Sequence, residues 1–565
     1  MRTRAFFALL VWVLTVSYEA WTIDVPENVV NGVCRSSKCK KVADRILNDM
    51  DKSVEPCTDF YGFVCGRWIK RTRIPDGAPF VNRLSEAARM VETNMKRILE
   101  SHQESPREKV LNLMATAYKV CKNTAILQSK DLNDFKKAFG QQGFTDWPKK
   151  KSENSPGKTR DIIKNYGWFG LFGIDVSVNV FQVTKHAIVM SLPVFEPLSL
   201  ELLEDLAGAE LQAYKRFIVQ VITTIKTSLS SDEAQEIADS IYAFEIEQVQ
   251  ASRFPSSDII ETTVAKIDEV LKSDLKLKDT IKHHFNNKKV SLRGEEGVII
   301  WTPGYYRDIF ETITENGAVN LYNLLGWKRA CLLMKYSRKD LLDMYNGLMK
   351  TVDPLYNHKP IENVCISDLM TNMKYAFGSI YVERYFTSEE IKREVREISD
   401  KVKDSIVKMI KKKGWIDAVT QTEALDKVRY MRSMIGYPDW VRDKVKVQQL
   451  FKHVNSFNLR MSYIQIFVLL FSNNLRVNYE KIHLQVQSEE EWDSRFFCML
   501  MDSTSPRLNS FSLYAGLLQE PLYVQGVPVA VNLGSVGWFS GHELTLRLLY
   551  YLFGIPKLRF NWPVS

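Results

Sequence analysis

The residues best placed to do chemistry together are His542 and Glu543, in the segment 532–549, NLGSVGWFSGHELTLRLL. Two histidines four residues apart project both imidazoles from one helical face, where they can hold one zinc ion. A glutamate directly after the first is placed to take a proton from metal-bound water. This chain has the first half of that pattern. The second histidine's place is taken by Leu546, so the motif reads HELTL. A catalytic zinc needs three protein ligands and an open position. Residues 547–565, RLLYYLFGIPKLRFNWPVS, contain no aspartate, glutamate, histidine or cysteine. His542 is therefore expected to be a remnant ligand and Glu543 a remnant general base, with zinc held weakly or not at all.

Other candidates carry less. His283 and His284 lie between basic residues with no carboxylate cluster nearby and are expected at the surface. No G-x-S-x-G, phosphate-loop or dinucleotide fingerprint occurs. Trp68, Trp147, Trp168, Trp301 and Trp327 read as core anchors. The formal net charge is +9 over 565 residues, a mild excess that fits lysine-rich solvated helix faces. No nucleic-acid motif accompanies it, so a nucleic-acid partner is not expected.

The elements that would position these residues are mostly helical. Residues 387–413 place Ile391, Val395, Ile398, Val402, Ile406 and Ile410 in one stripe at helical spacing. Thr387 with Glu390 reads as a capping box, and Gly414 as the stop. Residues 202–228 and 232–251 read as two further amphipathic helices. Residues 463–471, YIQIFVLLF, form a buried strand or helix too short to span a membrane. Residues 146–161 and 286–297 are polar loops. Gly436-Tyr437-Pro438 ends the long helical region, and strand-like alternation follows over 477–486.

Arg2 and Arg4 precede a mainly apolar stretch of thirteen residues, 5–17, with Glu19 close behind. That is the pattern of a signal peptide occupying about residues 1–20, and it implies a secreted protein with no stable membrane span. The alternative is a type II membrane anchor. Eight cysteines in a secreted chain are expected to be mostly oxidised, and their even count permits 105 pairings. No N-x-S/T sequon occurs.

Several further segments raise the half-motif above chance. They are MDKSVEPCTDFYGFVCGRW (50–68), ATAYKVC ending at Cys121, NVCISDLMTNMKYAFGSIYVERYF from Asn363, ALDKVRYMRSMIGYPDW (424–440) and LNSFSLYAGLLQEPLY (508–523). In these the chain resembles the neprilysin and endothelin-converting-enzyme family of zinc endopeptidases, over residues 34 to 546. The resemblance implies a mainly α-helical, two-lobed fold. A large helical lobe over 21–440 would be joined to a partial thermolysin-like α+β catalytic lobe over 441–565. It also implies a cavity admitting only peptides, zinc held by two histidines and a downstream glutamate, and an asparagine-alanine pair that binds the substrate backbone. The asparagine corresponds to Asn509 and the alanine position is Ser510; the strand that follows looks shortened between Ser512 and Ala515. By the same resemblance Cys34 pairs with Cys39 and Cys121 with Cys365. The family partners of Cys57 and Cys65 would lie in C-terminal sequence not found here, and Cys331 and Cys498 have no clear counterpart.

Three functional readings follow. The chain is a family member that has lost catalysis and keeps a role in binding peptides or small secreted proteins. Or it is an active zinc endopeptidase whose sequence is truncated or frameshifted near residue 546. Or it is a secreted scaffold using only the helical lobe. Free thiols, and exposed apolar side chains at Leu548, Leu549 and Leu552, are expected of a shortened catalytic lobe.

Overall fold

The computed structural model describes residues 29–30, 33–126, 132–253, 258–386, 388–414, 416–487, 492, 503–505 and 509–553. The expected signal segment, Thr387 and Cys498 lie outside the described residues. The chain is mainly α-helical with small sheets, as the resemblance implies. It divides into two compact units, Met1–Thr72 with Glu520–Trp538, and Arg73–Gln519 with Phe539–Ser565.

The first unit contains a short ribbon of β1 (Val29–Val30) and β2 (Val33–Cys34), and helices Ser37–Asp49 and Phe60–Arg71. Ser36 and Asp59 cap these helices by accepting from Cys39 N and Gly62 N, which satisfies backbone donors with no partner inside the helix. A small core joins Cys39 and Val42 to Val524 and Val527. The Asn532 amide braces the returning segment, donating to Val524 O at 2.9 Å and accepting from Val524 N at 3.0 Å.

The second unit holds the main core. Its larger sheet runs β3 (Gly173–Val178), β4 (His186–Ser191), β6 (Gly297–Trp301), β5 (Ile259–Thr263), with β4 and β6 parallel and the other pairs antiparallel. Helix Pro303–Met334 fills the space beside it and buries Tyr305, Ile309, Trp327 and Met334. That helix is interrupted at Gly317, whose φ of 74° is a conformation glycine adopts without steric cost. Trp147 and Trp327 are core anchors as expected, at 2% and 0% exposure.

Several sequence expectations are refined. The apolar stripe of 387–413 forms helix Glu389–Lys411, capped by Ser388, which accepts from Glu390 N. The single helix expected over 202–228 is two, Leu200–Asp205 and Gly208–Ile225, parted where Ala207 takes an extended conformation. The run 463–471 opens helix Tyr463–Glu480, started by a reciprocal cap between Ser462 and Gln465. That helix continues through Val477, so the alternation over 477–486 does not become a strand. In its last turn Asn478 faces β3 instead. Its amide donates to Val176 O (3.1 Å) and accepts from Val176 N (2.9 Å), closing the side of β3 away from β4.

A second, three-stranded sheet was not anticipated at its first strand. β7 (Arg432–Gly436) pairs in parallel with β9 (Ser510–Tyr514), and β8 (Ser503–Ser505) pairs antiparallel on the other side of β9. The boundary expected at 440 therefore falls just after a strand whose partner, Ser510–Tyr514, lies far along the chain.

Candidate active site

The half-motif lies on helix Trp538–Phe553, as its spacing predicts. A short α-turn, Val529–Asn532, and a π-turn, Leu533–Gly537, lead into it. Ser540, Glu543 and Leu544 are buried on this helix, with Ser540 and Leu544 at 0% exposure. Ser540 Oγ lies 3.0 Å from Ser399 Oγ of helix Glu389–Lys411. One residue on, a Cβ at Gly541 would meet Val402 Cγ1 at 3.8 Å, an ordinary van der Waals distance, so the two helices pack side by side along this face.

His542 presents a side chain about one-third exposed, and Glu543 is 3% exposed. His542 Nε2 stands 4.0 Å from Glu543 Oε1, the outer limit of an ion pair when the imidazole is protonated. Leu546 sits one turn further along the same helix and is half-buried. Its isobutyl group has no lone pair. Among the described residues no group of three histidine, cysteine, aspartate or glutamate side chains is placed to hold a metal ion. The donor set that the family's zinc requires is not met by His542, Glu543 and Leu546, and no step can be derived through the metal here.

Asn509 and Ser510 are fully buried at the start of β9, the middle strand of its sheet. Asn509 has φ 43°, tolerated because asparagine enters the left-handed region more readily than most residues. Its side-chain amide nitrogen donates to Lys427 O (3.1 Å), and its backbone carbonyl accepts from Arg432 N (2.9 Å). Among the described residues Asn509 Oδ1 and Ser510 Oγ have no hydrogen-bond partner. In this arrangement neither side chain reaches a surface where a peptide backbone could lie.

Cys34–Cys39 and Cys121–Cys365 are disulfides, with Cα atoms 6.0 and 5.8 Å apart. Cys57 is exposed ahead of helix Phe60–Arg71, Cys65 lies within that helix, and Cys331 is buried in the main core. Two expectations need correction. Leu548 is buried, at 7%, not exposed, because its face of the helix packs inward; the side chains of Leu549 and Leu552 lie outside the described residues. His284 is half-buried, not fully exposed. Its ring lies 4.5 Å from Trp168, and burial pushes its pKa down to about 4, against a weak opposing hydrogen bond from Nε2 to Ile163 O at 3.3 Å. The lysines flanking His283 and His284 hid this, since the packing partner Trp168 is more than a hundred residues away.

The model of peptidase family M13 matches residues 56–438. The chain belongs to this family. It is 23% identical over 536 residues to Neprilysin-1 of Trittame loki, covering 91% of this chain and 73% of that one. It is 25% identical to Neprilysin-2 of Caenorhabditis elegans, covering 91% and 71%. Among solved structures, the zinc metalloprotease Zmp1 of Mycobacterium tuberculosis superposes with TM-score 0.69 at 15% identity, over 88% of this chain and 73% of that one. A galactose-containing glycoprotein complex from Haemonchus superposes with TM-score 0.68 at 17% identity, over 90% and 74%. The M13 family is one of zinc-dependent metallopeptidases, and the structural likenesses show that this chain shares its fold.

Proposed function

We propose that this protein is a secreted M13 family member that engages peptides or small secreted proteins without hydrolysing them. The observation that carries the reading is Leu546 one turn beyond His542: the helix that would offer two imidazoles to zinc offers one. Glu543 then has no activated water to deprotonate. Secretion is supported by the apolar segment at 5–17 behind two arginines and by two disulfides, which persist in oxidising compartments. Asn509 and Ser510 belong to the proposal as candidate substrate contacts only if the sheet end opens on binding.

The test is cleavage of a quenched hydrophobic peptide by the purified protein, with metal analysis of the same sample. No hydrolysis and no stoichiometric zinc are expected. Hydrolysis abolished both by a chelator and by Glu543→Gln would overturn the reading and make the protein a working peptidase.

A further inference from the structure

Away from the site helix, two helices, the residue that ends a third and one loop converge on a cluster of positive charge. Arg329 lies half-buried on helix Pro303–Met334, its guanidinium carbon 4.4 Å from the centre of the Phe169 ring and 5.9 Å from that of Phe471. A guanidinium stacked on aromatic faces keeps its N–H donors along its own plane, free for an anion. Among the described residues Arg329 makes no ion pair and donates no side-chain hydrogen bond. Burial alone pushes it down to about 10, with no carboxylate offsetting the cost.

Lys288 stands beside it. It ends helix Leu277–Asn287, and its Nζ donates to Ser472 Oγ at 2.7 Å. Ser472 follows Phe471 on helix Tyr463–Glu480, so two consecutive residues touch the two cations. Burial lowers the Lys288 pKa, and the charges of Arg329 and Arg476 lower it further. Arg476 is paired to Glu480 at 3.2 Å, whereas Lys288, like Arg329, has no carboxylate partner among the described residues. Two partly desolvated cations held together without a counter-charge are costly, and a folded protein keeps such a pair most readily where an anion completes it.

We propose that Arg329, Lys288 and Ser472 form a binding site for a tetrahedral oxyanion, the phosphate or sulfate group of a small ligand. A doubly charged group balances both cations, which a single carboxylate does not. The planar fork of Arg329 can give two parallel hydrogen bonds, with Lys288 and the Ser472 hydroxyl supplying a third and fourth donor.

The experiment titrates the full chain with inorganic phosphate and with inorganic sulfate at ionic strength matched by chloride, read by calorimetry and by melting temperature. A sugar phosphate and a sulfated disaccharide form parallel arms that tell the two sources apart. Binding is expected for phosphate or sulfate and not for acetate, and Arg329→Gln should weaken it roughly tenfold to a hundredfold. In chloride alone Arg329→Gln should melt no lower than the parent, because it removes a charge poorly served by solvent. If that variant does not fold, Lys288→Gln at the rim carries the test, with weakened binding expected and unchanged affinity counting against the site. Equal phosphate or sulfate effects in parent and Arg329→Gln, which the general stabilisation by these salts would give, would overturn the proposal. So would the absence of any effect, or acetate binding as well as phosphate.

Discussion

Ser399 and Ser540, 141 residues apart in sequence, meet hydroxyl to hydroxyl at 3.0 Å with both side chains fully buried. This contact seats helix Glu389–Lys411 against the helix of the half-motif and fixes the face from which His542 emerges.

Enlarging one partner should push those helices apart. Ser399→Leu is expected to destabilise the protein by about 1–3 kcal/mol through overpacking, and Ser399→Ala by about 1 kcal/mol. Urea midpoints of the two variants check this. A leucine variant as stable as the parent would mean that the interface is loosely packed.

Leu546→His places a second imidazole one turn beyond His542. Two ligands on one face should hold zinc weakly, and turnover should stay absent because no third donor is grouped with them among the described residues. Isothermal titration with zinc and the peptide assay test both halves. Efficient chelator-sensitive hydrolysis by this single variant would show that a third ligand is within reach.

His284 predicts an acid sensitivity. Its pKa is pushed down to about 4 in the folded chain, against about 6.5 for an ordinary histidine, chiefly through burial and then through the neighbouring His283 and Arg329 charges. The unfolded chain therefore binds the proton more readily between these values, and stability falls as pH drops from 6.5 toward 4. At ~1.4 kcal/mol per unit the loss is on the order of 3 kcal/mol. His284→Phe should flatten this part of the stability profile, and an unchanged slope would assign the acid loss to other groups.

The thiols should differ in reactivity. Cys57 is exposed, whereas Cys331 is at 0% exposure and burial pushes its thiol well above the usual range. Since the thiolate is the reactive form, alkylation followed by peptide mapping should label Cys57 in the native protein and Cys331 only after unfolding. Native labelling of Cys331 would show that its core opens.

The parts of the fold written locally were legible. The stripe from Ile391 to Ile410 predicts its helix because each member lies one turn from the next, and the disulfides followed from family spacing. What could not be read depends on distant partners. Arg432–Gly436 looks like the tail of a helical region, and it becomes a strand because β9 lies alongside. Asn478 sits in a stretch that alternates like a strand but stays helical, since its amide serves a strand edge some three hundred residues earlier. For the site, spacing placed His542 and Glu543 on a helix and marked the loss at Leu546. It gave no sign that Asn509 is enclosed, because that burial comes from β7 and from Lys427. Nor did it signal Arg329 and Lys288, whose meeting requires three separate elements.

The small unit built from Met1–Thr72 and Glu520–Trp538 bears on how the protein is made. Val42 on the first helix packs with Val524 and Val527, and residues 73–519 must be synthesised between them. At about 5–20 residues per second, that interval is on the order of 20–90 s. Throughout it the amino-terminal helices have emerged without the segment that completes their core, with Leu47, Phe60 and Tyr61 turned toward solvent even in the finished fold. A nascent chain arrested before residue 520 thus carries an unfinished amino-terminal unit however well its middle has folded, which makes this unit the natural point for chaperone surveillance during translation.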